Sequence, residues 1–253
     1  MTDTPSPEPG AAAALAIVVP ALDEASTIPR LARTLAALHP AAAEIVVVDG
    51  GSRDDTVALC RRLGLRVIEH DRAGRAAQIN RGVSATISPL VCVLHADTVL
   101  PDDAVAVMRR ALADPRTALA GFTPLITGPD RTWWLTTAHN RLKTWYAPLL
   151  FRPKLFLRGA RLLFGDHALF FRRADFEAVG GLDPSHDIME EADLCARMAI
   201  RGRVRLLDRV VLTSDRRVAA WGQWKANRIY LSVGARWGFG LRRRLSDRYP
   251  HIR

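Results

Sequence analysis

Cysteine, long apolar runs and an N-terminal targeting signal are scarce or missing in this chain of 253 residues. The three cysteines lie far apart and are odd in number, so neither a disulfide framework nor a zinc cluster is expected. Residues 1–10 are acidic and proline-rich, and the apolar run 11–19 is too short to span a bilayer. We expect a cytoplasmic protein with a disordered tail over 1–14 and a single domain over 15–253.

Aromatic and acidic residues are each missing from long stretches of the chain. All 17 aromatic residues lie at or after Phe122. The segment 131–173 has nine Lys or Arg against Asp166 alone, and 201–253 has 14 basic and three acidic residues. A basic, aromatic second half is typical of a protein that meets a larger partner or a membrane surface.

The most informative stretch is residues 90–98. Five apolar residues, 90–94, predict a strand buried on both faces, and the strand ends at His95 and Asp97. In open α/β sheets, ligands bind at the carboxyl ends of the strands. Imidazole and carboxylate together suit a divalent cation, so this pair predicts a metal-assisted site. The alternative is that Asp97 only caps a helix that starts near Pro101.

Further strands are predicted over 15–20, 44–49 and 65–70, with a helix after each one. Ser52 and Asp55 predict a capping box for the second helix. Strands that alternate with helices across short connections predict an α/β fold, with a mostly parallel central sheet and helices on both faces.

Carboxylates follow three of these strands and should converge on one edge of the sheet. They are Asp23 or Glu24, Asp49 and Asp97. There they can bind the ribose and base of a nucleotide and a metal ion, although Asp49 can also be a simple turn residue. No glycine-rich phosphate loop follows a strand, which excludes the dinucleotide-binding and P-loop motifs.

Several segments in order resemble the family 2 glycosyltransferases, which have the GT-A fold. They are Val-Val-Pro-Ala-Leu-Asp-Glu at 18–24, Val-Val-Asp-Gly-Gly-Ser-Arg-Asp-Asp-Thr at 47–56, Leu-His-Ala-Asp-Thr at 94–98, Gly-Asp-His to Phe-Arg-Arg at 165–173, Gly-Gly-Leu-Asp at 180–183 and Met-Glu-Glu-Ala-Asp-Leu at 189–194. Leu-His-Ala-Asp-Thr and the segment 213–217 look like a small bacterial subgroup, the radical-SAM/selenodomain-associated transferases.

The resemblance implies a role for each matching position. Asp97 matches the last acid of an Asp-x-Asp metal motif and would bind Mn²⁺ or Mg²⁺, while His95 replaces the first acid and would bind metal or donor sugar. Residues implied to bind the nucleotide or donor are Pro20, Asp23, Glu24, Asp49, Gly50, Arg75, His95 and Ala96. Residues implied to contact the acceptor or donor sugar are Gly165, Asp166, His167 and Glu190. For Arg75, a solvated helix arginine is the alternative.

The acid cluster at 190–193 is the second expected centre of chemistry. Three acids at a helix start also suit the helix macrodipole, which is the structural alternative. The resemblance implies that Glu191 deprotonates the acceptor hydroxyl. Successive helical side chains point about 100° apart, so we expect Glu190 and Glu191 to aim at different places, with Glu190 capping or contacting the 166–167 loop.

The implied activity is that of a metal-dependent inverting glycosyltransferase. It would use a UDP-sugar or GDP-sugar donor and a hydroxyl acceptor, lipid-linked or close to a membrane. The implied division is a nucleotide-binding half over 15–121, an acceptor half over 122–215 and a basic aromatic segment over 216–253. One rival is a sugar nucleotidyltransferase, which needs a glycine-rich loop after the first strand. The other is a catalytically silent membrane-associated protein of the same fold.

The C-terminal segment combines aromatic and basic residues from Trp221 to Arg244. This pattern suits an interfacial helix on the anionic inner face of a membrane. A solvated helix and contact with another polyanion are the alternatives. No nucleic-acid motif accompanies the charge, so nucleic acid is not an expected partner.

Overall fold

The computed structural model describes residues 13–70, 74–186, 188–241 and 245. Most of the tail expected to be disordered, 1–14, and the basic residues 242–244 therefore lie outside the described residues. The free cysteines Cys60, Cys92 and Cys195 are all buried. None of the described helices is both long enough and apolar enough to cross a membrane.

The described chain forms seven strands and ten α-helices. The strands are β1 (Leu15–Ala21), β2 (Glu44–Asp49), β3 (Arg66–Glu69), β4 (Leu90–Val93), β5 (Thr117–Thr127), β6 (Phe170–Arg172) and β7 (Arg203–Ser214). The helices are α1 (Ile28–Ala36), α2 (Thr56–Arg62), α3 (Arg75–Ser84), α4 (Ala104–Ala113), α5 (Trp134–Phe151), α6 (Pro153–Leu157), α7 (Arg173–Ala178), α8 (Glu190–Met198), α9 (Arg216–Trp221) and α10 (Gln223–Gly238). A 3₁₀ turn, Gly165–His167, lies before β6.

All seven strands join one sheet in the order β3-β2-β1-β4-β6-β5-β7. Strands β1 to β4 pair in parallel, and β5 pairs in parallel with β7. Strand β6 is antiparallel to both of its neighbours. The mostly parallel α/β fold predicted from the sequence is confirmed. The expected boundary between 121 and 122 falls inside β5, so one sheet runs through both halves.

The central strands are apolar on both faces because the sheet is covered on both faces. Val18 and Val46 belong to the core on one side, whereas Ile17 and Val47 belong to the core on the other. Parallel strands buried in this way cannot accommodate charged side chains within their length. The polar residues are therefore displaced to the strand ends, where the candidate site forms.

Two expectations about helix capping are wrong. Helix α2 begins at Thr56 with no side-chain cap, and the Ser52 hydroxyl donates to the Asp49 carboxylate instead. Asp97 does not cap α4, because that helix begins at Ala104 and Asp103 is at its N-cap position. Each polar group has a different partner at the sheet edge: Ser52 binds the Asp49 carboxylate, and Asp97 lies 2.9 Å from the Arg216 guanidinium.

The expected interfacial helix at the C-terminus needs a correction. Trp237 is buried and packs in the main hydrophobic core, and the Arg152 guanidinium lies 5.5 Å from the centre of its ring. Helix α10 packs against α5, and Trp237 points inward and contributes to this packing. Trp224, at the other end of α10, is 80% exposed.

Candidate active site

The loops after β1 and β2 are tied to one another by hydrogen bonds. The Asp23 backbone N–H donates to Ser52 Oγ at 2.9 Å, and the Arg53 N–H donates to Asp23 Oδ1 at 2.8 Å. Asp23 has a φ of 53°, in the left-handed region that Asp tolerates better than most residues. The first predicted donor-binding residue therefore has a structural task at this edge.

Asp49 is 2% exposed and accepts hydrogen bonds from the turn that follows β2. Its Oδ2 accepts from the N–H groups of Gly51 and Ser52, both at 2.9 Å. The carboxylate thus performs the turn role that the sequence left open as an alternative. Its predicted contact with a nucleotide remains a prediction.

Gln78 is a site-forming residue that the sequence analysis missed. Its side-chain N–H₂ donates to the carbonyl oxygens of Ala21 and Val48, both at 2.8 Å, and so joins the ends of β1 and β2. A Cβ at Gly50 would lie 2.9 Å from the Gln78 side chain. Gly50 is required here because the buried amide leaves no room for a larger residue. The first strand also brings Pro20 to this edge.

Arg216 connects the loops that follow β1 and β4. Its Nη2 lies 2.9 Å from Glu24 Oε1 and 2.9 Å from Asp97 Oδ2, and its Nη1 lies 3.2 Å from Glu24 Oε2. One guanidinium therefore compensates two carboxylates at the sheet edge. The sequence analysis noted the segment 213–217 only as a subgroup feature and gave Arg216 no role.

The residues around Asp97 determine which ligands are available to a divalent cation. Within the described part of the chain, no group of three or more His, Cys, Asp or Glu is arranged to hold a metal ion. The oxygen donors of Asp97 and Glu24 suit a hard cation such as Mg²⁺ or Mn²⁺. Such ions often bind through one or two carboxylates plus substrate phosphates, and the residues present fit that arrangement. Ala96 is buried between the two polar residues of the motif.

The acid cluster at the start of α8 faces Arg75. The Arg75 Nε donates to Glu190 Oε1 at 2.6 Å and lies 3.3 Å from Glu191 Oε1. The expectation that Glu190 caps the helix or contacts the 166–167 loop is therefore wrong, because Arg75 draws both acids to the same side. Asp193 points away and accepts from Arg197 Nε at 2.8 Å.

His95 reaches the same acid pair from the end of β4. Its Nε2 lies 3.9 Å from Glu191 Oε1. Burial lowers the pKa of His95 to about 4, so the ring is neutral near pH 7. A Cβ at Gly165 would lie 2.1 Å from the His95 ring and 2.8 Å from Glu191 Oε1. Glycine at 165 thus lets the imidazole and the carboxylate approach the backbone.

Asp166 and His167 lie in the 3₁₀ turn that begins at Gly165, close to His95. His167 Nδ1 lies 2.8 Å from Asp166 Oδ1, and the Asn140 side-chain amide donates to Asp166 Oδ2. Burial opposes ionisation, yet His167 and Lys143 hold the pKa of Asp166 below its ordinary value. Asn140 and Lys143 come from α5 and were not predicted, since nothing in their local sequence distinguishes them.

Glu191 is the strongly perturbed acid of the site. It is 3% exposed, and burial raises its pKa to about 7, with Arg75 opposing and Glu190 adding to the rise. A carboxylate with a pKa near neutrality is suited to accept a proton at physiological pH.

Several buried polar atoms without hydrogen-bond partners belong to residues of this site. They are five of the nine such atoms in the described part of the chain: His95 Nε2, Glu190 Oε2, Glu191 Oε1, Asn140 Oδ1 and His167 Nε2. Buried polar groups are ordinarily satisfied, and a concentration of exceptions needs a specific reason. Together they can offer hydrogen bonds to a polar, hydroxyl-rich molecule.

Comparison with known proteins agrees with this geometry. Residues 16–180 match the family model described as Glycosyl transferase family 2. An uncharacterized glycosyltransferase of Mycobacterium tuberculosis is 37% identical over 84 residues, which are 33% of this chain and 37% of that protein. The succinoglycan biosynthesis protein ExoA of Rhizobium meliloti is 32% identical over 211 residues, which are 76% of this chain and 60% of that protein. The chain thus spans less than two thirds of the length of these relatives.

Solved structures show the same fold. The glucosyl-3-phosphoglycerate synthase of Mycobacterium tuberculosis, in complex with Mn²⁺, UDP-glucose and phosphoglyceric acid, has a TM-score of 0.62 at 18% identity, covering 91% of this chain and 81% of that one. A mannosyltransferase of Pyrobaculum calidifontis, in complex with GDP-mannose and Mn²⁺, has a TM-score of 0.65 at 20% identity, covering 90% and 64%. The seven-stranded sheet is that of the GT-A enzymes.

Proposed function

Since the chain belongs to glycosyl transferase family 2, we propose that it moves a sugar from a UDP-sugar or GDP-sugar to an acceptor hydroxyl with inversion. A single displacement needs one base on the acceptor side and charge compensation on the leaving-group side. The two groups of residues at the sheet edge, around Glu191 and around Asp97, correspond to these two needs.

The observation that carries the proposal is the environment of Glu191. Its Oε1 is buried beside the His95 ring and the glycine at 165. This oxygen lies 3.3 Å from Arg75 Nε as an ion pair but makes no hydrogen bond among the described residues. An acceptor hydroxyl placed there would donate to Glu191 Oε1 and pass its proton to it as the new glycosidic bond forms. The neutral His95 ring would orient the hydroxyl or the donor sugar.

The leaving diphosphate would meet the cluster of Glu24, Asp97 and Arg216. Asp97 would hold Mn²⁺ or Mg²⁺ together with phosphate oxygens, and the ion when bound neutralises charge on the departing diphosphate. Arg216 would release its two carboxylates in part and offer its N–H groups to phosphate oxygens, for which a guanidinium is well suited. The remaining predicted donor-binding residues, Asp23 and Asp49 among them, would hold the nucleotide.

Two finer assignments belong to the same proposal. We place the chain in the radical-SAM/selenodomain-associated subgroup, supported by contacts between its two marker segments: Thr98 Oγ1 lies 3.4 Å from Thr213 Oγ1, and Arg216 binds Asp97. We also propose that the protein works in the cytoplasm at the inner face of a membrane. The basic excess of 201–253 and the exposed Trp224 support this location.

A thermal-shift screen of nucleotides and nucleotide-sugars, with and without Mn²⁺, tests the proposal. A ligand that binds only the folded chain raises its stability, by about 2.7 kcal/mol at 100 times its Kd. We expect a nucleotide-sugar that stabilises the protein more strongly with Mn²⁺, and a product of inverted anomeric configuration by NMR. No stabilisation by any UDP-sugar or GDP-sugar would contradict the proposal and favour the catalytically silent alternative.

A further inference from the structure

Helix α5 reverses the ordinary pattern of a surface helix. Its buried residues are small or polar: Thr136, Asn140, Thr144 and Pro148. Six large apolar residues of α5 are exposed: Trp134, Leu135, Leu142, Trp145, Leu149 and Leu150. A helix on a globular protein in water normally turns its apolar stripe towards the core. The outer face of α5 is therefore suited to an apolar environment.

The polar inner face of α5 is explained by the active site. Asn140 donates to the Asp166 carboxylate, and Thr136 Oγ1 accepts from Asn227 Nδ2 of α10 at 3.0 Å. Lys143 lies over the Phe164 ring, 3.8 Å from its centre, near Asp166. These contacts occupy the inner face, but none of them requires leucine or tryptophan on the outer face.

The apolar surface continues beyond α5. Leu157 of α6 is 84% exposed, and the Phe239 ring, also exposed, stands edge-on to Phe151 at 5.3 Å between centres. Arg152 Nη1 donates to the Gly238 carbonyl at 3.1 Å and holds the end of α5 to the end of α10. We call this surface, formed by the outer side of α5, α6 and Phe239, the α5–α6 face.

Basic residues predominate around the α5–α6 face, although Arg141 of α5 pairs with the exposed Asp208 at 2.8 Å. Residues 131–165 contain seven Lys or Arg and no Asp or Glu. The Arg161 guanidinium stacks on the Trp145 ring at 3.9 Å, so a cation and an aromatic ring are presented together. Exposed tryptophan, leucine and arginine on one surface suit the headgroup region of an anionic bilayer. Two copies of this basic face would repel each other, which argues against a second copy as the occupant.

We propose that the α5–α6 face docks on an anionic lipid bilayer. The leucine and tryptophan side chains enter the boundary between headgroups and acyl chains, and the basic residues bind lipid phosphates. The inference deepens the proposed function and rests on it for one consequence. The opposite side of α5 carries Asn140 and Lys143 next to Asp166. The bilayer therefore lies close to the pocket around Glu191, and the acceptor is a lipid-linked hydroxyl.

Vesicle co-sedimentation of the full-length chain tests the docking without any need for activity. We expect binding to phosphatidylcholine vesicles that contain phosphatidylglycerol, weaker binding in high salt, and little binding to phosphatidylcholine alone. The variant Leu142→Glu/Leu149→Glu/Leu157→Glu should lose at least about tenfold in partitioning, because each carboxylate opposes insertion and is repelled by the lipid. The matched control Ile200→Glu changes a residue that is 72% exposed outside α5, α6 and α10, and should bind like the wild type.

The outcomes separate docking from catalysis. If the triple variant binds vesicles like the wild type, or if the wild type ignores anionic vesicles, the docking proposal is overturned. Dimers seen by analytical ultracentrifugation that disappear in the triple variant, without vesicle binding, would assign the face to a second copy and overturn it too. Should the triple variant fail to fold by circular dichroism, Lys154→Glu/Arg158→Glu replaces it. Donor binding should persist in every folded variant, and its absence in the wild type would count against the proposed function alone.

Discussion

The loops after β1 and β2, which we propose bind the donor and call the donor loops, lie at the same edge of the sheet as the acid pocket around Glu191. The two regions are built differently. In the donor loops, Asp23, Asp49 and Glu24 each accept hydrogen bonds from the chain itself. In the acid pocket, formed by Glu190, Glu191, His95 and Arg75, Glu191 is buried and His95 is half-buried, and each keeps a buried atom with no hydrogen-bond partner among the described residues. Satisfied polar groups stabilise a framework, whereas buried unsatisfied ones cost stability. The difference separates a hydrogen-bonded framework from the residues that we propose for the chemistry.

The largest expected effect comes from removing Glu191, which we propose as the base. Glu191→Gln keeps the size of the side chain but cannot accept a proton, so turnover should fall by about 10² to 10⁴-fold while donor affinity changes little. Single-turnover kinetics measures this. Glu190→Gln and Asp193→Asn are the matched controls and should cost less. Near wild-type turnover in Glu191→Gln would show that another residue is the base and that the buried acids are not the site of the chemistry.

A steric change in the same pocket should have the next largest effect. Gly165→Ala places a methyl group 2.1 Å from the His95 ring, so the imidazole or the backbone must move. A misplacement of about 1 Å can cost about 10²-fold in rate, and we expect a loss of that order in turnover. The double variant Gly165→Ala/His95→Ala removes the contact with the imidazole and leaves the 2.8 Å approach to Glu191 Oε1. If crowding of His95 is the cause, adding Gly165→Ala to His95→Ala should cost much less than adding it to the wild type. Full activity of Gly165→Ala alone would show that the close approach is unimportant.

On the donor side, Asp97→Ala should act on metal-dependent binding and leave the fold intact. We expect loss of the Mn²⁺ enhancement of nucleotide affinity, of about 10 to 100-fold, measured by calorimetry. Arg216 would retain Glu24 as a partner in this variant. Unchanged affinity with and without Mn²⁺ would mean that the cation does not bind through Asp97.

The pH dependence should distinguish the acid pocket from the donor loops. Because burial raises the pKa of Glu191 to about 7, turnover should fall as the pH drops through that value and the base becomes protonated. The free energy of unfolding depends on pH in the opposite sense. Between the ordinary value of 4.5 and about 7, the folded chain holds a proton that the unfolded chain has released, so stability falls as the pH rises.

Urea unfolding of wild type and Glu191→Gln at pH 5 and pH 8 measures this second effect. The free energy of unfolding of the variant should exceed that of the wild type by a larger margin at pH 8 than at pH 5. The two margins should differ by about 1 to 3 kcal/mol. Glu190→Gln serves as the control for loss of a neighbouring acid. An identical pH dependence in wild type and Glu191→Gln would show that Glu191 does not titrate in this range.

The smallest expected effect belongs to the framework. Ser52→Ala removes hydroxyl contacts with Asp49 and with the Asp23 N–H, so the free energy of unfolding should fall by about 1 kcal/mol. Turnover at saturating donor should stay near the wild-type value. A large fall in turnover with unchanged stability would contradict the division between framework and chemistry.

Much of the sheet edge was predictable because its signals are local. A buried strand that ends in His95 and Asp97 places both residues at the edge whatever the rest of the chain does. Arg216 was not predictable in the same way, since it lies 119 residues from Asp97 in the sequence. The partner of Glu190 was also missed. Helical periodicity separates neighbouring side chains, but the long Arg75 side chain reaches both acids.

Arg216 also bears on how the chain is made. Synthesis proceeds from the N-terminus, and a domain can begin to fold before the chain is complete. Glu24 and Asp97 emerge early, yet the guanidinium that joins them follows Asp97 by 119 residues. At about 5 to 20 residues per second, this delay lasts roughly 6 to 24 s. During that interval a nascent sheet would carry two neighbouring uncompensated acids, and the arrival of Arg216 would compensate both of them at once.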